Sequence, residues 1–277
     1  MTPDEIKRKL HELSEEQNIN YNHLLLHLAF ERLIQRLTNH PELTDSIVFK
    51  GGFVALKVYE NYRYTRDLDL TAMNLKINQI EEALKDLIDL KDDGFWFGEL
   101  EKHRLPHQHE YGGVRFQLRY TIGDPPKKSG KAPIVQLDIG MGDVITPGPV
   151  LKKSPSIIEA EPLSWKVYPP ETIVAEKLDA LCRHENTASR GRDLYDLVVL
   201  IPKCDDATLK KAITATFEHT GNELPSSFSE LFRKMNKEHL ELSFKKISRV
   251  DGSNPDFKKT QKELLKLFKE RIDRLLC

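Results

Sequence analysis

A glycine pair followed by two closely spaced aspartates is the feature that most limits what this chain can fold into. The stretch FKGGFVALKVYENYRYTRDLDLT begins at Phe49 and places an apolar lead before Gly51 and Gly52. The apolar spacing after the glycines is typical of a short helix, and the alternation in TRDLDLT is typical of a strand. Side chains two residues apart on a strand share a face, so Asp67 and Asp69 are expected side by side. Adjacent carboxylates repel each other, which indicates a cation, a shared proton or a buried arginine nearby.

Length and composition exclude several classes of protein. With 277 residues, 39% of them hydrophobic, the chain can bury a full core. Its 42 Lys and Arg against 43 Asp and Glu give no overall charge that favours non-specific binding of nucleic acid. The three cysteines lack metal-ligand spacing and suit a reducing compartment. There is neither an export signal nor a run of about 18 apolar residues, so we expect a cytoplasmic protein without a membrane segment.

The spacing of apolar residues predicts a mixed sheet followed by helices. In the first half, two helices are expected over residues 4–38, and further helices over 53–59 and 78–90. Strands are expected over 46–49, 65–71, 112–122, 133–139, 150–151 and 164–168. The second half is expected to form helices over 171–184, 192–200, 206–219, 227–239 and 256–275. This order predicts an α+β fold, with a small mixed sheet flanked by helices in residues 1–168 and a helical domain in residues 169–277.

The glycine pair leads into a predicted helix, and unpaired backbone N–H groups at a helix N-terminus can hold phosphate. A glycine pair is also a common tight turn. The stretch is not a P-loop, because Lys50 precedes Gly51 and Gly52 instead of following them. The turn alone leaves both interpretations open.

The Asp67–Asp69 pair is a candidate ligand set for a hard divalent cation. Mg²⁺ takes carboxylate oxygens and keeps several waters for substrate phosphates. The alternative is that one aspartate is solvated and the other pairs with Arg63 or Arg66. The position after a glycine turn and one helix favours the metal interpretation, because this connection can bring both features to the same sheet edge.

A third carboxylate, Asp138, lies in the apolar strand sequence VQLDIG. A lone charge among apolar residues is costly unless it is paired or bound to metal. Three aspartates on neighbouring strands suit a metal-dependent phosphoryl or nucleotidyl transfer site. The alternative is an exposed aspartate at a strand end that caps the turn at Gly140.

Charged residues also interrupt two apolar helical stretches in the second half. The first stretch contains Lys177, and the second begins with Arg192 and Asp193. Cations there can neutralise a triphosphate, and a carboxylate can take the proton of an acceptor hydroxyl. The simpler interpretation is that Lys177 lies on the polar edge of an amphipathic helix and that Asp193 stabilises a helix N-terminus.

Five segments together resemble the AbiEii family of nucleotidyltransferase-like toxins, a branch of the DNA polymerase β-type nucleotidyltransferase superfamily. They are, in order, KGGFVALKVY, RYTRDLDL, VQLDIG, ETIVAEKLDAL and RGRDLYDLVVL, and they span roughly residues 45–200. The resemblance implies a small mixed-sheet nucleotidyltransferase core with a C-terminal helical domain. It also implies Mg²⁺-dependent transfer of a nucleoside monophosphate from an NTP, with RNA as the expected acceptor, because some members add nucleotides to the 3′ acceptor end of tRNA. Members are toxins of type IV toxin–antitoxin or abortive-infection systems, so an antitoxin is an expected partner.

By position, the resemblance assigns roles to the candidate residues. The expected metal ligands are Asp67, Asp69 and Asp138. The expected nucleotide-binding residues are Lys50, Gly51, Gly52, Thr65, Arg66 and Lys177. The expected catalytic residues are Asp67, Asp69, Asp138, Lys177 and Asp193, the last as a base or as support for the lysine.

The chain departs from the family pattern at two positions. Many relatives have a serine or threonine after the glycine pair and a serine before DLD, where this chain has Phe53 and Arg66. Thr65 is near enough to replace the missing hydroxyl. Two other functions also stay open, namely transfer of AMP to a protein hydroxyl and a nucleotide- or nucleic-acid-binding module of the same fold without turnover.

Overall fold

The structure is a computed structural model that describes residues 1–88, 90, 92–105, 113–183, 190–250 and 252–276. It divides into two units. The first unit comprises Met1–Phe53, Thr65–Asp143 and Leu151–Val167, and the second comprises Val54–Tyr64, Val144–Val150 and Tyr168–Cys277. The predicted boundary between residues 168 and 169 differs from this division, because it places residues 54–64 and 144–150 in the first domain. The two predicted domains stay a prediction.

The first half of the chain contains four α-helices among the described residues. They are α1 (Pro3–Gln17), α2 (Tyr21–Asn39), α3 (Gly51–Tyr59) and α4 (Ile77–Ile88). A capping box starts α1, because the Thr2 hydroxyl accepts from the Glu5 backbone N–H while the Glu5 carboxylate accepts from the Thr2 N–H. The side chain of Asn20 caps α2 in the same way, by accepting from the Asn22 N–H. The two predicted helices over residues 4–38 are therefore confirmed.

In the described part of the chain, seven strands form one mixed sheet in the order β3-β4-β5-β2-β1-β7-β6. The strands are β1 (Ile47–Lys50), β2 (Asp67–Ala72), β3 (Phe95–Leu105), β4 (Gly113–Ile122), β5 (Ile134–Met141), β6 (Val150–Ser154) and β7 (Leu163–Val167). β2 pairs with β5 and β1 pairs with β7 in parallel, whereas β1–β2, β3–β4 and β4–β5 are antiparallel. The mixed sheet with flanking helices confirms the predicted fold class.

Strict alternation along β4 separates an apolar from a polar face of the sheet. Val114, Phe116 and Leu118 are buried on one face, where α1, α2 and α4 pack against the sheet. Arg115, Gln117 and Arg119 are half-buried on the other face. Strand β4 therefore covers the core with one face and offers charged groups on the other.

The sequence patterns do not predict β3, the edge strand of the sheet. Its outer half is mostly exposed, and a shift in register between Gly98 and Glu101 interrupts the alternation. Glu99 has a φ of 51°, which places this residue in the left-handed region at the irregularity. An exposed strand with a bulge has no period-2 pattern of apolar residues to detect.

The second unit is helical in its C-terminal part. The described helices there are α5 (Pro170–Arg183), α6 (Gly191–Leu200), α7 (Asp206–Thr220), α8 (Phe228–Lys234), α9 (Lys237–Phe244), α10 (Phe257–Leu267) and α11 (Asp273–Leu276). The single helix predicted over 227–239 is wrong, because Met235 is extended and the Asn236 side chain accepts from the Glu238 and His239 N–H groups to start α9. The predicted strand start at Gly112 and helix end at His184 lie outside the described residues. None of the described helices is long and apolar enough to cross a membrane.

Candidate functional site

Four charged side chains form one row across four neighbouring strands of the first unit. Lys50 of β1 is the register partner of Asp69 of β2, and Asp69 is the partner of Asp138 of β5. Arg115 of β4 is the next partner of Asp138. Register partners point to the same face, so two carboxylates lie side by side with a cation at each end. We call Lys50, Asp69, Asp138 and Arg115 the charged row.

Asp67 lies beside the charged row. It is two residues before Asp69 on β2, and both side chains are half-buried, so they share a face as expected. The hydrogen bond to Asp138 raises the pKa of Arg115, and the charges of Asp67 and Asp69 raise it further. All three aspartates therefore act electrostatically on the same arginine.

Asp138 is buried inside β5 with 8% of its surface exposed. Arg115 donates from Nε to Oδ1 and from Nη2 to Oδ2, each at 2.7 Å. This bidentate geometry is the strong form of an arginine–carboxylate pair. The alternative of an exposed aspartate at a strand end is therefore wrong, since the charge is buried and paired.

Gly51 permits the backbone to approach Asp69. Its φ is +71°, and a Cβ atom at this position would lie 2.0 Å from Asp69 Oδ2. Both the conformation and the space exclude other residues. Gly51 and Gly52 are the first residues of α3, so the N-terminal N–H groups of this helix begin next to the Asp69 carboxylate.

A further carboxylate, Asp143, forms an ion pair with Lys50 at one end of the charged row. The Lys50 ammonium lies 2.5 Å from Asp143 Oδ2. The same oxygen would lie 2.8 Å from a Cβ atom at Gly140, so the Asp143 side chain folds back over the end of β5. Nothing in the local sequence around Asp143 indicates a bend toward Lys50, so its place beside the charged row could not be predicted.

Two more of the predicted nucleotide-binding residues, Thr65 and Arg66, precede β2. Thr65 is buried, and its hydroxyl donates to the Asp67 carbonyl at 3.4 Å. Arg66 is exposed, and its charge adds to the burial that lowers the pKa of His23. The first unit thus brings Lys50, Gly51, Asp67, Asp69 and Asp138 together, whereas the interactions of Thr65 and Arg66 are with the Asp67 backbone and with His23.

The three predicted metal ligands are Asp67, Asp69 and Asp138, and they differ in how well they suit a metal ion. Asp138 has both oxygens hydrogen-bonded to Arg115. Within the described residues, no three His, Cys, Asp or Glu side chains are arranged to hold a metal ion. Asp67 and Asp69 alone supply two carboxylates on one face, and this fits Mg²⁺, which needs only one or two protein carboxylates beside water and phosphate oxygens.

The other predicted residues, Lys177 and Asp193, are half-buried and belong to a cluster in the second unit with the buried residues Asn61, Arg63 and Asp196. Asp196 is completely buried and accepts from Asn61 Nδ2 at 2.7 Å, and from Arg63 Nε at 2.9 Å and Nη2 at 3.0 Å. Its second oxygen lies 2.7 Å from Lys177 Nζ. Arg63, considered above as a partner for the strand aspartates, therefore compensates Asp196.

Lys177 lies between two carboxylates. Its Nζ is 2.8 Å from Asp193 Oδ1, and Arg190 Nη1 donates to the other oxygen of Asp193 at 2.8 Å. Burial alone would lower the pKa of Lys177, but Asp193 and Asp196 outweigh it and raise the pKa. Burial would likewise raise the pKa of Asp196, but Arg63 and Lys177 outweigh it and hold the pKa well below its usual value. Lys177 is thus a charged group in fixed position and not part of a solvated helix edge.

The chain is similar to one known protein family and to several solved structures. The family model described as nucleotidyl transferase AbiEii toxin, type IV TA system, matches residues 32–276. The structure of JHP933 from Helicobacter pylori is similar, with a TM-score of 0.58 and 19% identity, covering 93% of this chain and 94% of that chain. MenT4, a nucleotidyltransferase toxin from Mycobacterium tuberculosis H37Rv, is similar with a TM-score of 0.59 and 17% identity, covering 97% and 88% respectively. These likenesses show a shared fold, and none of the curated proteins matches the chain.

Proposed function

The chain belongs to the AbiEii family of nucleotidyl transferase toxins of type IV toxin–antitoxin systems, and on this premise we propose that it transfers a nucleoside monophosphate from an NTP to RNA. The proposed acceptor is the 3′ end of tRNA, and a separate antitoxin holds the toxin in check. The observation that carries the proposal is the charged row, in which Asp69 and Asp138 lie side by side. Adjacent carboxylates in the middle of a sheet repel each other, and a divalent cation that serves nucleotidyl transfer would offset this repulsion.

In the proposed site, Asp67 and Asp69 hold a divalent cation of the Mg²⁺ type. Asp138, which lies beside Asp69 in the charged row, would be a third ligand. When bound, such a cation would neutralise charge that develops on the triphosphate. Arg115 is proposed to donate to a phosphate oxygen.

The chain's own groups orient the two substrates. The backbone N–H groups of Gly51 and Gly52 receive the triphosphate together with Lys50, Thr65 and Arg66. The acceptor hydroxyl oxygen bonds to the α-phosphorus, the bond from this phosphorus to the bridging oxygen breaks, and pyrophosphate leaves with the electron pair. A carboxylate of the site takes the hydroxyl proton. Lys177 is proposed to contact phosphate, and Asp193 supports it, because Asp193 already accepts a hydrogen bond from Lys177.

The proposal is tested by incubation of the protein with total tRNA, one α-³²P-labelled NTP at a time, and Mg²⁺. Label is expected on RNA with the unchanged chain and with the control variant Asp124→Asn, which alters an exposed loop carboxylate. Asp69→Asn and chelation by EDTA are expected to abolish the label. Label on protein instead would identify an AMP-transferase, and NTP binding without any labelled product would identify a binding module; either result contradicts the proposal.

A further inference from the structure

The ion pair between Lys50 and Asp143 joins two strands that are not neighbours in the sheet. Lys50 belongs to β1, Asp143 follows the end of β5 by two residues, and β2 lies between these strands. Lys50 Nζ and Asp143 Oδ2 are 2.5 Å apart, and only 15% and 11% of the two side chains are exposed. A charge pair with so little exposure is screened weakly by water, so it fixes the position of the ammonium group.

Gly140 leaves room for the Asp143 carboxylate on the face of the charged row. Gly140 lies two residues after Asp138 on β5, so a side chain at Gly140 would share the face of Asp138. A Cβ atom at Gly140 would lie 2.8 Å from Asp143 Oδ2, so the carboxylate occupies the space of the missing side chain. Gly113, the register partner of Gly140 on β4, adds no side chain on this face. The Asp143 carboxylate therefore lies on the same face of the sheet as Asp69 and Asp138.

Lys50 has two carboxylates within reach on this face. Its register partner is Asp69, and the Cβ atoms of register partners are only about 5 Å apart, so the two side chains can form an ion pair. Asp143, in contrast, lies beside Gly140 of β5, and two strand spacings amount to about 9.6 Å. The Lys50 side chain therefore extends over β2 to reach Asp143. An ammonium group drawn toward Asp143 neutralises less of the Asp69 charge than one held by Asp69 alone.

The other end of the charged row has the same arrangement. Arg115 donates both of its printed hydrogen bonds to Asp138, which is the register partner of Asp69 on the side away from Lys50. Each cation of the charged row thus has a carboxylate other than Asp69 as a counter-ion. At the Arg115 end this carboxylate belongs to the row itself, whereas at the Lys50 end Asp143 supplies it from outside the row.

From these contacts we infer that Asp143 is a positioning residue, which draws the Lys50 ammonium group toward Gly140 and leaves more negative charge at Asp69 for a divalent cation. The inference rests on the proposed function for the cation at Asp67 and Asp69, and on no other part of it. Without the Asp143 carboxylate, Lys50 would pair with its register partner Asp69. The ammonium group would then compete with the divalent cation for the same carboxylate.

The test is a double-mutant cycle on the affinity for Mn²⁺, measured by electron paramagnetic resonance of free Mn²⁺ without nucleotide. Asp143→Asn is expected to weaken binding about fivefold in the unchanged chain. In the Lys50→Met background the same substitution is expected to weaken binding about twofold at most, because only the distant charge of Asp143 is then lost. The matched control is Asp45→Asn, which removes an exposed carboxylate 2.6 Å from Lys166 and is expected to leave the affinity unchanged.

Two further variants change the position of the carboxylate and keep its charge. Gly140→Ala is expected to weaken Mn²⁺ binding in the same direction as Asp143→Asn, because the new Cβ atom displaces Asp143 Oδ2. The φ of Gly140 lies outside the left-handed region, so alanine fits the backbone there. Gly130→Ala, where a Cβ atom meets open space, is the control. Asp143→Glu is expected to keep part of the affinity that Asp143→Asn loses, and urea denaturation checks that each variant is folded.

An equal loss of Mn²⁺ affinity in both backgrounds would overturn the inference, because Asp143 would then act as a charge and not through Lys50. Unchanged affinity in Asp143→Asn would overturn it as well. The transfer assay separates the inference from the proposed function. Coupling between Lys50 and Asp143 without any labelled RNA supports the inference and contradicts the function, whereas labelled RNA without coupling does the reverse. If neither the unchanged chain nor any variant bound Mn²⁺, both would be contradicted.

Discussion

Arg115 donates two hydrogen bonds of 2.7 Å to Asp138, the register partner of Asp69. The arginine thus places a positive charge at the point where the proposed cation binds. Asp138 already has Arg115 as its counter-ion, and we expect this arginine to oppose binding of a cation at the proposed site until a polyphosphate is bound.

Replacement of Arg115 by methionine is expected to tighten binding of Mn²⁺ when no nucleotide is present. Removal of a unit charge a few ångströms from the cation relieves about 1 kcal/mol of repulsion, which corresponds to roughly a five- to tenfold gain in affinity. Electron paramagnetic resonance of free Mn²⁺ measures the change. Arg119→Met is the matched control, because Arg119 lies on the same face of β4 but pairs with Glu99. Unchanged or weaker binding in Arg115→Met would contradict the proposed position of the cation.

Gly51→Ala is expected to destabilise the fold more than Gly221→Ala does. Both glycines have a left-handed φ, +71° and +67°, so alanine costs about 1–2 kcal/mol at either position. At Gly221 a Cβ atom meets open space, whereas at Gly51 it meets Asp69 Oδ2. Forced displacement of that carboxylate adds about 1–3 kcal/mol. Urea denaturation measures the free energy of unfolding of both variants. Equal destabilisation would show that a Cβ atom at position 51 does not displace the Asp69 carboxylate.

Asp196→Ala is expected to cost about 3–5 kcal/mol of folding free energy, because it leaves Arg63 and Lys177 buried without this counter-ion. The exposed pair of Glu241 and Lys245, which are 3.0 Å apart, provides the comparison. Glu241→Ala is expected to cost less than about 1 kcal/mol, as surface ion pairs do. Guanidinium denaturation compares the two variants. A loss below about 1 kcal/mol in Asp196→Ala would mean that water enters the cluster and replaces the carboxylate.

The contribution of Asp196 to stability is expected to depend on pH. Its pKa is lowered in the folded protein, so the stabilisation is complete above the usual carboxyl pKa of about 3.9 and is lost as the pH falls toward the lower folded value. The difference in unfolding free energy between the unchanged chain and Asp196→Asn should therefore be constant from pH 7 to about pH 5. It should shrink between about pH 5 and pH 3, as measured by urea denaturation at each pH. A difference that stays constant to pH 3 would rule out a lowered pKa for this carboxyl group.

Local pattern predicted the elements that carry the site, because helices and half-buried strands repeat their apolar residues with a fixed period. The placement of Asp67 and Asp69 on one face follows from the period of a strand alone. Strand β3 gave no such signal, since its outer half is exposed and its bulge breaks the period. Local pattern also could not divide 227–239 into α8 and α9, where one side-chain cap at Asn236 decides.

The partners of the site residues could not be predicted, because they come from distant parts of the chain. The alternation in GVRFQLRYT marks Arg115 as polar, but its pairing with Asp138 depends on how β4 and β5 align. Asp196 lies three residues after Asp193 in RDLYDL, so helical spacing could have placed both on one face. Nothing in the local sequence marks Asn61 as a donor to Asp196. The contacts of Asp138 and Asp196 therefore depend on residues distant in sequence, which the local sequence pattern does not identify.

The parallel pairing of β2 with β5 has a consequence for synthesis of the protein. Asp69 and Asp138 are joined in the sheet but separated by the whole of α4, β3 and β4 in the chain. A ribosome-bound chain that has released β4 but not yet β5 lacks Asp138, so its charged row is incomplete. Its first two carboxylates lack the strand that completes their surroundings, and pairs so distant in sequence form late. The proposed site therefore cannot form before β5 has left the ribosome.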